Sequence, residues 1–162
     1  MEEIVVTLLL ISMASESSTS GNLIYLSDKE ILEVPSFTPS TCKVDPYPEG
    51  DLQWAVSGLV NSSLMVCGGF SFDSLNELSS CFSLDGSAWV EEASMSSVRL
   101  FFAASQSDRG WMVSGGEDQN KNLLSSTEFY QFGSWKMGPS LPDQVHVHCQ
   151  VNIGGRVIVS GK

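Results

Sequence analysis

Only two histidines, His146 and His148, and eight Lys or Arg residues occur among the 162 residues of this chain, against 19 Asp and Glu. The formal net charge of −11 creates a field that repels phosphate backbones and anionic lipid, which argues against a nucleic-acid binder. The acids are scattered apart from pairs such as Glu91-Glu92 and Glu117-Asp118, and they read as solvated surface. The apolar run from Ile4 to Ile11 is far shorter than the ~20 residues a membrane-spanning helix requires. A Gly-x-Ser-x-Gly elbow, a phosphate-binding glycine loop and a Cys-x-x-Cys pair are all missing, so the familiar hydrolase, nucleotide and thiol-redox motifs have no place here. Helical periodicity is missing too, and Gly and Ser are too frequent through the middle of the chain for long helices.

What the chain does have is one module written twice, with the start of a third copy. Leu64-Met65-Val66-Cys67-Gly68-Gly69 returns as Trp111-Met112-Val113-Ser114-Gly115-Gly116, and again as Val157-Ile158-Val159-Ser160-Gly161-Lys162. The leading glycines are 47 and then 46 residues apart, and Trp89 and Trp135 are separated by 46. A period shared by two different markers signals an array, solenoid or propeller. It also moves the functional question from catalysis towards binding.

Within each period the apolar pattern has strand character. Gln53 to Val60, Leu64 to Cys67, Leu78 to Leu84 and Ala88 to Val90 are short runs separated by Asn61-Ser62-Ser63 and by Asp85-Gly86-Ser87. The second copy follows with Phe101 to Ser105, Trp111 to Ser114, Ser125 to Phe132 and Ser134 to Met137. Four runs with turn residues between them predict a four-stranded antiparallel meander, with sheets at about 52–94 and 99–138. The Gly-Gly pairs fit a tight bend at positive φ, or a close approach of backbones near the centre of a radial array. Turn glycines of a sandwich are the plainer alternative, and the shared period argues against it.

These residues resemble the kelch repeat, whose blades are four-stranded sheets set around a central channel. Arg99, Ala103, Ala104, Gly115, Gly116, Tyr130 and Trp135 fill the pattern in one copy, and Ala55, Gly68, Gly69, Phe82 and Trp89 fill it in the copy before. The wording of these segments is similar to secreted invertebrate kelch proteins. The stretch Glu30 to Pro35 with Cys42 and Tyr47-Pro48 looks like the outer part of a preceding blade. The resemblance spans roughly residues 23 to 162 and implies an all-β, incomplete kelch-type β-propeller. About two complete four-stranded blades are expected, with partial blades at each end. The copy near Val145 lacks the Arg, its Gly-Gly is reduced to Gly161-Lys162, and no convincing Gly-Gly precedes Glu30.

The expected organisation is a possible signal peptide at 1–20, a partial first blade at 21–51, blades at 52–98 and 99–142, and a truncated blade at 143–162. A closed ring of six such blades needs roughly 280 residues, so the chain is expected to be a fragment, or to be completed by another chain. Open edges invite association. The run Ile4 to Ile11, the triplet Ser12-Met13-Ala14 and the polar stretch after it resemble a secretory leader cleaved after Ala14. Glu2 and Glu3 stand where positive charge is usual, and an extra strand of the first blade is the alternative reading.

Four cysteines are compatible with secretion. Cys67 and Cys81 fall on neighbouring predicted strands, where facing residues come within disulfide range, so a Cys67–Cys81 bond is expected, with a free buried pair as the alternative. Sequence does not license a pairing of Cys42 with Cys149. Asn61-Ser62-Ser63 is a glycosylation triplet in a predicted turn.

Catalytic chemistry finds little support. A copper oxidase of the galactose oxidase type would need His and Tyr ligands; His146 and His148 lie i and i+2 on one predicted strand, on one face. Nothing joins them to further ligands. Asp118-Gln119-Asn120 is a faint version of a calcium loop. The expectation is therefore a non-catalytic, secreted interaction scaffold with no cofactor, binding a protein ligand through loops such as Phe70 to Ser74 and Glu117 to Asn122. An intracellular ubiquitin-ligase-type adaptor is one rival, favoured by reduced cysteines. A metal enzyme is the other, favoured by stoichiometric metal binding.

Overall fold

The computed structural model describes Leu8–Leu9, Leu23–Ser27, Glu30–Val34, Ser40–Cys42 and residues 44–161. The first four segments are strands β1 to β4 of one antiparallel sheet, paired in chain order. β1 pairs Leu8 with Tyr25 and Leu9 with Ile24. The triplet Ser12-Met13-Ala14, where cleavage of a leader is expected, lies outside the described residues.

A second sheet holds β5 (Leu52–Gln53), β6 (Val56–Val60), β7 (Ser63–Ser71), β8 (Asn76–Asp85) and β9 (Ala88–Glu92). β5 and β6 are two pieces of one inner strand, both paired with β7 and separated by Trp54 and Ala55. The third sheet runs β10 (Ala103–Ser107), β11 (Gly110–Ser114), β12 (Thr127–Gln131) and β13 (Ser134–Met137). A two-stranded hairpin, β14 (Cys149–Ile153) with β15 (Arg156–Ser160), closes the series. Left-handed pairs make the two-residue turns: Asn61-Ser62 at φ 51° and 68°, and Gly154-Gly155 at 57° and 77°, the conformation such hairpins demand.

Among the expected boundaries that shift, three do so for a visible local reason. β7 does not end at Cys67 but runs through Gly68-Gly69 to Ser71, because β5 supplies partners beyond the break. β10 begins at Ala103 rather than Phe101, since Phe101 turns to φ 53°. The last hairpin begins at Cys149 rather than Val145, since Val147 turns to φ 48°. The same kink corrects the reading of His146 and His148 as one face of a strand: both precede β14 in irregular chain.

The last three sheets stack side by side through their first strands, β6 beside β10 and β10 beside β14. The core between the second and third sheets comprises Met65, Cys67, Cys81, Met95, Phe102, Trp111, Val113 and Tyr130. Apolar surface removed from water here is the main stabilising contribution. Gly58 lies directly under Trp111, and a Cβ there would sit 2.6 Å from the indole nitrogen.

Polar seams repeat with the period. The Gln106 amide donates to the Leu59 carbonyl, and one repeat later the Asn152 amide donates to the Gln106 carbonyl at 2.9 Å. Arg99 is wholly buried. It donates to Glu128 at 2.9 Å, to the Gly115 carbonyl at 2.7 Å and to the Ser126 hydroxyl at 2.8 Å, while Glu128 also accepts from the Ser96 N–H at 2.8 Å. A buried guanidinium needs such a full complement of acceptors. The Tyr130 hydroxyl donates to Glu92, which also accepts from Ser83 at 2.6 Å. Burial, then the Glu92 carboxylate, pushes the Tyr130 phenol up to about 12.

Candidate interaction face

In an antiparallel meander, alternate connections emerge at the same end of the sheet. The entry to β5 and the β7–β8 loop therefore share an end, and the Phe72 N–H donates to the Asp51 carbonyl at 2.9 Å. The entry to β10 joins them, because Gly69 N–H donates to the Arg99 carbonyl at 3.0 Å. The entry to β14 completes the row, with Val147 N–H on the Phe101 carbonyl at 2.8 Å.

One residue recurs along this row. Trp54, Phe101 and Val147 are spaced by 47 and 46 positions, and all three have left-handed backbones, at φ 60°, 53° and 48°. Bulky side chains avoid that region, and a β-branched residue there is an outlier. The Gly-Gly pairs account for the geometry in the first two copies. A Cβ on Gly69 would meet the Gln53 carbonyl at 2.5 Å and the Ala55 nitrogen at 2.7 Å. A Cβ on Gly116 would meet the Leu100 carbonyl at 2.6 Å and the Phe102 Cβ at 2.7 Å. Each doublet lets the inner strand bulge across it, and the bulged side chain is pushed outward at the end of the sheet.

The outward side chains gather into an aromatic strip. The rings of Trp54 and Phe101 are 4.6 Å apart and inclined at 39°. Trp54 lies 6.0 Å from Phe70, and Phe70 packs edge-on against Phe72 at 5.1 Å. Trp54 and Phe72 are each about two-fifths exposed, at 41% and 42%. The loop Asp118 to Asn122 stands at the same end. Its Asp118 carboxylate accepts from the N–H groups of Asn120 and Asn122 and from the Asn122 side chain; these bonds, led by the Asn122 side chain, hold the carboxyl below its ordinary value. The carboxylate thus builds a turn. Among the described residues no group of three or more His, Cys, Asp or Glu is arranged to hold a metal.

The other expected residues lie elsewhere. Cys67 and Cys81 form a buried disulfide with Cα atoms 4.2 Å apart, while Cys149 is a free, exposed thiol. Trp89 and Trp135 are on the outermost strands. Asn61 is exposed at the opposite end, on the rim of a cavity of about 230 Å³ also lined by Val60, Gln106, Trp111, Tyr130 and Phe132. His148 is buried and shares a 2.9 Å hydrogen bond with Ser114. Ser114 also donates to the side-chain amide oxygen of Gln150, and the Gln150 side-chain amide donates to the Ser105 hydroxyl and to the Met112 carbonyl. Ser114 has one proton, so His148 Nε2–H is the donor and Nδ1 is bare, buried and without a partner. That tautomer builds a seam between the third sheet and the final hairpin. Neither Trp54 nor Val147 stood out from the sequence, although both sit at the repeat position of Phe101; the period itself was the signal that could have found them.

The fold is an all-β, incomplete β-propeller of open antiparallel sheets, the last three set side by side with their first strands adjacent. Among solved structures, that of YjhT, also a propeller, superposes on 81% of this chain with a TM-score of 0.65 and 15% identity. This chain spans 44% of that structure's length. At such identity the likeness is one of fold alone. No family model matches the chain, and no curated protein matches it.

Proposed function

We propose that the protein is a non-catalytic interaction scaffold of the kelch-propeller type that works outside the cell and binds a protein partner through the end bearing Trp54 and Phe72. The observation that carries this reading is the exposed aromatic strip, since contiguous apolar surface on a soluble protein marks contact sites. The Gly-Gly, Arg and Trp pattern of the repeats supports the kelch assignment. The buried Cys67–Cys81 disulfide fits an oxidising compartment, and the glycosylation triplet at Asn61 places any glycan at the end away from the strip. Self-association through unpaired sheet edges belongs to the same reading.

A photo-reactive benzoylphenylalanine tests the face directly. Placed at Phe72 in protein secreted from insect cells, it is expected to give adducts of defined mass with co-expressed secreted proteins. At Phe132, on the opposite end, it is expected to give none. Equal labelling at the two positions, or retention of the protein inside the cell with Cys67 reduced, sinks the proposal.

A further inference from the structure

The strip at the sheet ends has a chemistry of its own, and its occupant is read here on the basis that this end is an interaction face. Trp54, Phe101 and Val147 hold left-handed backbones in three successive copies. Glycine or asparagine fits that conformation without strain, yet each copy carries a large apolar residue. Strain maintained in register at an exposed edge is typical of ligand clamps.

Two features say what the clamp takes. The first is the set of ring faces. Trp54 is inclined to Phe101 by 39° and to Phe70 by 49°, so the strip presents tilted π surfaces, whose faces carry negative potential. The second is the charge around it. Asp51 and Asp73 flank Phe72, the Asp73 carboxylate lying over Gly50. Glu117 is bridged to Leu100, next to Phe101. Among the described residues Arg99 is buried against Glu128, and Arg109 and Arg156 sit by the β10–β11 and β14–β15 turns at the opposite end. Lys121 stands in the Asp118 to Asn122 turn at this end, and Lys136, the other described cation, lies on the outermost strand β13. The strip is an electron-rich, acid-rimmed surface on a chain of net charge −11, and among the described residues the cation–π contact, Arg109 over Phe129 at 5.9 Å, lies away from it.

We infer that this face receives a basic peptide segment, with an arginine or lysine side chain stacked on Trp54 and Phe101 and its charged head directed to Asp51 and Asp73. A guanidinium suits the site better than an ammonium, because its planar face stacks on rings while its edge donates to carboxylates. An acidic peptide meets repulsion from the same carboxylates, and a neutral apolar one leaves them desolvated and unpaired.

Isothermal titration calorimetry of the disulfide-bonded chain with acetyl-(Gly-Arg)3-amide tests this, beside the (Gly-Lys)3, (Gly-Gln)3 and (Gly-Glu)3 peptides. The arginine peptide is expected to bind, the lysine peptide several-fold more weakly, and the other two not at all. Trp54→Gly accepts φ of 60° without strain, so it tests the ring while leaving the backbone at ease. It is expected to weaken arginine-peptide binding by about tenfold, as the loss of a desolvated cation–π contact implies. Phe72→Ala, at an exposed loop position, is expected to weaken it by several-fold. Unchanged binding in both variants means diffuse attraction to an acidic protein and overturns the inference. So does equal binding of the glutamine peptide, or no binding of the arginine peptide. Cross-linking from position 72 to a partner without basic segments overturns the cationic occupant alone and leaves the interaction face standing.

Discussion

The indole nitrogen of Trp135 donates to the carbonyl of Ala93 at 2.8 Å. Trp89 does the same one repeat earlier, on the carbonyl of Asp45 at 3.0 Å. Ala93 directly follows β9, and Asp45 lies just beyond β4. Each tryptophan on an outermost strand therefore clasps the chain as it leaves the sheet before. The period in the sequence marks a joint between neighbouring sheets, and the ring also packs locally, Trp135 on Tyr130 at 5.3 Å and Trp89 on Tyr47 at 4.9 Å.

Replacing Trp135 with Phe keeps most of the packing and deletes the donor. The expected cost is about 1 kcal/mol, the usual net value of one such hydrogen bond. Trp135→Ala also removes the ring and is expected to cost about 3 kcal/mol, the low end for a large aromatic because this one is half-buried. Urea unfolding of both variants checks the ordering. Equal losses would mean that the clasp adds nothing beyond packing.

Arg99 and Glu128 are a buried pair, with side chains 0% and 1% exposed. Removing one partner leaves an uncompensated charge in the core, a change that costs about 3–5 kcal/mol. Arg99→Met and Glu128→Leu are each expected to fall in that range. The double variant is expected to be more stable than either single one, because neither charge is then stranded. Additive losses in the double-variant cycle would refute the coupling.

How much of this was legible in the sequence depends on which residues repeat visibly. Gly68-Gly69, Gly115-Gly116, Trp89 and Trp135 are the same letters in each copy, and they pointed to antiparallel sheets and to their approximate extents. The Cys67–Cys81 contact was legible because strand neighbours face one another. The aromatic strip was not. Trp54, Phe101 and Val147 share a backbone conformation but not a residue type, and in the first two copies the left-handed φ follows from the glycines across the strand, not from the residue's own preference. His146 and His148 misled for the same reason: alternation assumes extended chain, and Val147 breaks it.

The disulfide occupies a position that the next sheet fills differently. Cys67 pairs with Cys81 across β7 and β8, while the equivalent pair across β11 and β12 is Ser114 with Thr127, both wholly buried. The bond closes a loop of 14 residues, and a loop of that size corresponds to about 3 kcal/mol. Cys67→Ala/Cys81→Ala is expected to lose about that much in a denaturant titration. A loss under about 1 kcal/mol would mean that the strand pairing alone holds this sheet together.

Strand β15 pairs with β14 on one side and, among the described residues, has no strand on its other side. Its Ile158 is half-exposed, at 48%. An unpaired edge carrying apolar side chains templates association, and a lysine there suppresses it. Sedimentation velocity between about 5 and 100 μM is expected to show reversible association of the chain, abolished by Ile158→Lys. A chain extended by strands that cover this edge is expected to be monomeric and to melt more sharply. A sharply melting monomer from the 162-residue chain would show that the open sheets are self-sufficient.

The seam at His148 makes stability depend on pH, and the sign follows from the tautomer. Nε2–H serves Ser114, so an added proton must go to Nδ1, which is buried and has no acceptor. Burial first, and the nearby His146 second, lower the folded-state pKa of His148 below the ordinary value of about 6.5 that the unfolded chain retains. Above that value both states are neutral at this position and the seam is intact. As pH falls from about 6.5 towards the lowered folded pKa, the unfolded chain binds the proton first, and stability declines. His148→Gln keeps a donor for Ser114 and removes the titration. The melting temperature of the native protein relative to this variant is therefore expected to be steady above about pH 7 and to drop between about pH 6.5 and 5. A difference that stays constant across this range would place the pH sensitivity of stability elsewhere.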